Sequence, residues 1–263
     1  MNARIRHNPS QKTRSVPSIQ GPMQPAAWGR DTLSEFIMTA YQNRLATFAN
    51  KPEQFGRLAA IDECFARIGD GWTMPASKSH SFIAALLIGR TVASYRAASE
   101  CALAGQAADA FTLIRAMLEA SAYSLHIEKN SNLAEVWLRR HDDEAARGAV
   151  LKAFSMAKLI GTIRSCDCDG ADRFIRFYQE AIDFGAHPNE RAVTGSLTVT
   201  EDDGSSLRYE QQLLHGDGNA LEHGLISVAR AGLCSLEVLQ CAFPARFEIL
   251  GVRHRILELR NGL

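Results

Sequence analysis

Arg115, Glu119 and Tyr123 recur every fourth residue, so on a helix they share one face. A guanidinium one turn before a carboxylate is either an ion pair tying helices together or the fork of an anion or carboxylate pocket, with the Tyr123 hydroxyl as a further contact. The His187-Pro-Asn189 triplet follows Gly185 closely. There His187 is either a C-terminal cap or, carried against the Arg115–Glu119 seam with Asn189 beside it, a proton-transfer group or polar pocket wall. Both readings of each group stay open on sequence alone. His215-Gly-Asp217 and Glu222-His223 are metal-ligand types gathered in nine residues. Their spacing opposes a site, since adjacent residues on a helix diverge by ~100° and no HExxH is present. No metal and no cofactor are expected. Cys166-x-Cys168 lacks a second pair nearby in sequence, and no GxGxxG, P-loop or GxSxG motif occurs.

The elements that must carry these residues read as helices. The segment 109–128 is rich in Ala, Leu and Met and apolar nearly all round, which predicts a central helix with neighbours on most sides and, on it, largely buried Arg115 and Glu119 charges. A helix from Ser79 or His80 to about Leu103, stopped by Ala104-Gly105, precedes it and should pair with it antiparallel. Thr32-Leu-Ser-Glu35, Asn132-Leu-Ala-Glu135 and Asn219-x-x-Glu222 each resemble a capping box. Helices are expected from Thr32, from Pro52 to Ile68 with a break after it at Gly69-Asp-Gly71 and Pro75, and from Asn132 to about Ile163. Others are expected over 173–184, over 219–242, and from Pro244 to Arg260. Within the highly charged stretch 139–147, Arg140 to Glu144 is expected as a solvated helix face, and Cys166 to Gly170 as a loop. Ser196-Leu-Thr-Val-Thr200 alternates with period two and, with 207–209, predicts one β-hairpin around Gly204. The sum is an all-α single-domain bundle of about seven or eight helices at 31–263, after a disordered arm at 1–30.

Composition narrows the function classes. Basic and acidic residues balance at 29 each and the pI is near 7. That argues against a nucleic-acid partner without excluding one, and against a membrane partner. No apolar run is expected to reach the ~18–20 residues that span a bilayer. The leader has Arg4, Arg6, Lys12 and Arg14 but no apolar core, so a secretory signal is not expected and a reducing cytoplasm is.

The run from Ala97 to Glu119, a helix, a Gly turn and an R-x-x-x-E helix, resembles uncharacterised prokaryotic all-helical families. Phe177 to Asn189 resembles their later aromatic helix ending in a histidine, so the resemblance spans roughly residues 80 to 190. It implies an α-helical fold and supplies no catalytic residues. Relatives of such folds include HEPN-type RNases, which use an Arg, four to six intervening residues and a His, with a polar residue just after the Arg. Arg208-Tyr-Glu-Gln-Gln-Leu-Leu-His215 has that spacing, with Tyr209 in the polar position. Two expectations follow. The first is a soluble helical binding protein, in a stress or defence setting, that holds a protein or small-molecule partner near Arg115, Glu119, Tyr123, His187, Asn189 and His215, with a homodimer as one form. The alternative is an RNase-like or other hydrolytic enzyme using His187, His215 or His223.

Overall fold

The computed structural model of the chain describes residues 27–72, 79–202 and 206–262. The expected disordered arm, the Pro75 break and the Gly204 hairpin tip lie outside them, save for residues 27–30. The described residues divide into two units, with the boundary between Met38 and Thr39. In the first, Asp31 opens helix α1 (Thr32–Asn50) by accepting from the Ser34 amide at 2.9 Å and the Ser34 hydroxyl at 2.6 Å. The same hydroxyl accepts from the Gly29 amide. The cap is therefore Asp31, one residue before the Thr32 expected from the box pattern, because a carboxylate there reaches the exposed amide of the first turn.

The described residues of the second unit are helical apart from one antiparallel hairpin and the connecting turns. Its centre is the pair α3 (Ser79–Leu103) and α4 (Ala107–Lys129), with α10 (Asn219–Ala242) lying along both. Around them pack α2 (Pro52–Gly69), α7 (Met156–Cys166) and α8 (Cys168–Ala181). As its composition predicts, α4 is buried on most sides, through Phe111, Ile114, Met117, Leu118, Leu125 and Ile127. Each such side chain stabilises the fold by ~1.5–3 kcal/mol relative to exposure. Small residues set the close approaches. Ser124 donates from its hydroxyl to Ala84 O across the α3–α4 contact. On α10, a Cβ at Gly232 would sit 2.6 Å from the Tyr95 ring. That ring is fully buried, and its hydroxyl donates to Leu58 O of α2. Among the described residues α10 alone is long and apolar enough to cross a bilayer, which corrects the expectation that no run would be. Most of it is buried against its neighbours.

The described helices outnumber the expected seven or eight because two expected long ones break and a short helix at Glu190–Thr194 was not expected. The span 132–163 is α5 (Asn132–Leu138), a 3-10 turn (Arg139–His141), α6 (Glu144–Ala153) and α7. Asp143 is extended and accepts from Ala146 N, so the charged middle is solvated as expected but starts a new helix instead of continuing one. Asn132 lies inside α5, after Ser131. Asn219 likewise follows Gly218 at the start of α10 without a side-chain cap. Beyond Pro244 the chain forms α11 (Pro244–Ile249) and α12 (Val252–Arg260), separated at Gly251, whose φ of 67° is a left-handed turn. Cys166 to Gly170 is no loop. Asp167 alone separates α7 from α8 and caps the latter at Gly170 N. After α8, a π-helical turn (Ile182–Ala186) leads to α9 (Glu190–Thr194), then β1 (Leu197–Asp202) and β2 (Ser206–Gln211).

Candidate functional site: an arginine-lined cleft between two helices

The seam on α4 forms as spaced. Arg115 Nε donates to Glu119 Oε1 at 2.9 Å, but each side chain stays about one-third exposed, at 34% and 35%. The expected deep burial of both charges does not hold, because the facing turn Ile182–Ala186 covers the pair only partly. The hydroxyl contact comes from Tyr178 of α8, which donates to Glu119 Oε1 at 2.8 Å. Burial first, and then this bond to a carboxylate, push the Tyr178 phenol up to about 12. Tyr123 instead stacks on Phe154, with centroids 4.6 Å apart. Arg115 also donates to Ala186 O at 3.4 Å, so the main chain beside His187 closes the seam while the His187 side chain is exposed. Asn189 has a structural task. It donates to Ile182 O and caps α9 at Ala192 N.

The other histidines lie elsewhere. His215 uses its main chain to donate to Gly105 O at 2.9 Å, and a Cβ at Gly105 would lie 2.1 Å from His215 O. Gly105 also has φ +81°, so the α3–α4 turn needs glycine twice over. That docking point is beyond the start of α4, and Arg115 sits roughly 12 Å further along the helix. His215 therefore does not join the seam. Asp217 and Glu222 both pair with Lys51, at 2.7 and 2.8 Å, and turn away from the neighbouring histidines. His223 meets Glu180 at 2.8 Å, and Ser227 donates to the same carboxylate oxygen at 2.8 Å. The His223 bond, with Ser227 in support, holds the Glu180 carboxyl below its ordinary range against the opposing effect of burial. Among the described residues no three His, Cys, Asp or Glu gather closely enough to hold a metal ion.

Glu180 leads to a site that the sequence reading missed. Helices α8 and α10 run antiparallel, since Glu180 meets His223 while Arg173, two turns earlier, meets Glu237. Arg173, Arg176, Phe177 and Glu180 form one face of α8, and Arg230, Leu233, Cys234 and Glu237 the facing side of α10, with Arg260 closing one end. The cleft between them is half open to solvent and holds about 380 Å³. Glu237, 11% exposed, is clamped between Arg173 (Nε to Oε2, 3.0 Å) and Arg260 (Nε to Oε1, 2.9 Å). Arg176 lies over the Phe177 ring, 5.0 Å from its centroid. Cys234 is a wholly enclosed thiol, pushed up by burial, and belongs to the floor. The sequence signal was an Arg and a Glu seven residues apart on each of two helices, with apolar residues between them on the same face. It went unread because neither helix shows that the other faces it. Comparison of the chain with protein-family models, with characterised proteins and with solved structures finds no match.

Proposed function

We propose that this chain is a non-catalytic helical binding protein whose α8–α10 cleft takes a small organic anion, a phosphate or polycarboxylate. One observation carries the reading. Four arginines and two glutamates line the cavity; Glu237 is held by Arg173 and Arg260, Glu180 by His223 and Ser227, and the formal count leaves two positive charges. The balance is positive, and planar guanidinium forks match oxyanions bidentately. Phe177 and Leu233 give the ligand's body an apolar floor, the usual partner of a few polar anchors in a pocket of this size. Hydrolysis by His187, His215 or His223 has less support. The Ser227 hydroxyl donates to Glu180 and not to His223, so no nucleophile faces a base there. Arg208 and His215 lie on a strand and in the loop after it. Inorganic phosphate and citrate serve as probes in thermal unfolding, against chloride at equal ionic strength. At saturating probe the parent should melt higher, by about 2–4 °C for each kcal/mol of linked binding. The Arg176→Ala/Arg230→Ala variant, altered at two exposed rim positions, should lose the shift. A parent that does not respond, or a variant that responds equally, overturns the proposal.

A further inference from the structure

The hairpin is the least supported element of the fold. Every residue of β2 is exposed, and so are the apolar side chains Leu197 (38%), Val199 (49%), Leu207 (57%) and Tyr209 (63%). The register pairs Val199 with Tyr209 and Leu197 with Gln211, so these four side chains share one face. A lone two-stranded hairpin with a bare apolar face is marginal in water; three or more strands are the stable form. The outer edge of β2 has neither proline nor lysine between Ser206 and Gln211, and its two charges, Arg208 and Glu210, are opposite in sign and pair within the strand at 2.9 Å.

Which groups face that edge follows from the ladder. Gln212 N donates to Ser196 O at 2.8 Å, which makes Ser196–Gln212 a hydrogen-bonded pair. Such pairs alternate along an antiparallel ladder, so Thr198–Glu210 and Thr200–Arg208 are bonded inward. The N–H and C=O groups of Leu207, Tyr209 and Gln211 then point outward. We propose that this edge pairs with β2 of a second copy of the chain, antiparallel about a twofold axis through Tyr209. Tyr209 meets Tyr209 of the other copy as a bonded pair, and Leu207 meets Gln211. Arg208 then falls opposite Glu210 in the non-bonded position, where side chains approach most closely, and the twofold repeats that charge pair. Charge fixes the register. Pairing one step of two to either side sets Arg208 against Arg208, or Glu210 against Glu210, across the axis, and like charges directly opposite are destabilising. The β1 edge offers only Thr198 and Thr200 at the corresponding places, with no charge pair to specify a register. The product is a four-stranded sheet with Leu197, Val199, Leu207 and Tyr209 of both copies on one face. It is independent of the anion cleft.

Sedimentation velocity of the full chain tests it, with melting temperature as the folding control. The parent should be in monomer–dimer exchange at about 10–100 µM, as suits an interface at the small end of specific ones. Arg208→Glu and Glu210→Arg should each weaken self-association at least about tenfold, since each turns both opposite-charge pairs into like-charge pairs. Mixing these two single variants should restore a dimer, as should Arg208→Glu/Glu210→Arg in one chain. A parent that stays monomeric over this range overturns the proposal. So does a dimer that ignores the single variants, or singles that stay apart on mixing.

Discussion

Glu119 accepts from Arg115 Nε and from the Tyr178 hydroxyl, and about a third of its side chain remains in water. A fully buried pair would cost ~3–5 kcal/mol to break. Partial exposure lets solvent take up the stranded charge, so the expected losses are smaller. Glu119→Ala should destabilise by about 1–1.5 kcal/mol and Arg115→Ala by a similar or smaller amount, with a double variant costing less than the sum. Urea denaturation at neutral pH measures all three. A loss above about 3 kcal/mol for either single variant would mean that the pair is desolvated after all. The i,i+4 spacing made the Arg115–Glu119 bond legible in the sequence. Tyr178 was not legible as the third member, because its approach depends on how α8 packs 59 residues further on. The arginine cleft was hidden for the same reason: each half reads as an ordinary charged helix face until the two are laid together.

Helix α4 is joined to α6 and α7 through one imidazole. His126, 7% exposed, sits 3.2 Å from Ala153 O and 2.7 Å from the Thr162 hydroxyl, with Phe154 edge-on to its ring. A carbonyl can only accept, so the neutral ring carries its proton on Nε2, and Nδ1 accepts the single Thr162 hydroxyl proton at 2.7 Å in place of the longer 3.1 Å contact of that hydroxyl to Lys158 O. Burial lowers the His126 pKa below the ordinary 6.5. The unfolded chain therefore binds the proton more readily, and stability rises with pH across that window. The His126 contribution is fully present above about 6.5 and is lost as pH falls through the lowered folded value. Unfolding free energy measured from pH 7.5 down to 5 should fall in the parent and fall less in His126→Gln. Equal slopes would place the acid sensitivity elsewhere. The boundaries of these elements were only partly readable. Pro52, Gly105 and Pro244 punctuate the chain where their stereochemistry requires. The expected caps at Thr32, Asn132 and Asn219 each lie one residue inside the helix, the first two because another polar residue, Asp31 or Ser131, precedes them, and the third because Gly218 takes the cap position. The 132–163 span misled because Asp143, which ends one helical path by capping another, reads in sequence as one more surface charge.

Across the whole molecule, cohesion is uneven, and hydrogen exchange should map it. Helices α4 and α10 hold the largest share of the buried apolar residues, and α3 joins them through Tyr95, Ala98 and Ala102. Amides in their middles, such as those of Leu118 and Leu236, can exchange only when these helices separate, which amounts to global unfolding at about 5–15 kcal/mol. The short α9 and the hairpin have no buried residue described and should open locally, orders of magnitude faster. Within β2 the pattern should alternate. At low protein concentration the amides of Arg208 and Glu210, bonded to β1, should exchange more slowly than those of Leu207, Tyr209 and Gln211, which face the open edge. Raising the concentration into the dimeric range should slow these three and leave α9 unchanged, because only edge pairing covers them. NMR-detected exchange at two concentrations resolves each amide. Uniform rates along β2 would contradict the ladder phase, and rates that do not depend on concentration would remove the twofold pairing while leaving the ranking of α4 and α10 intact.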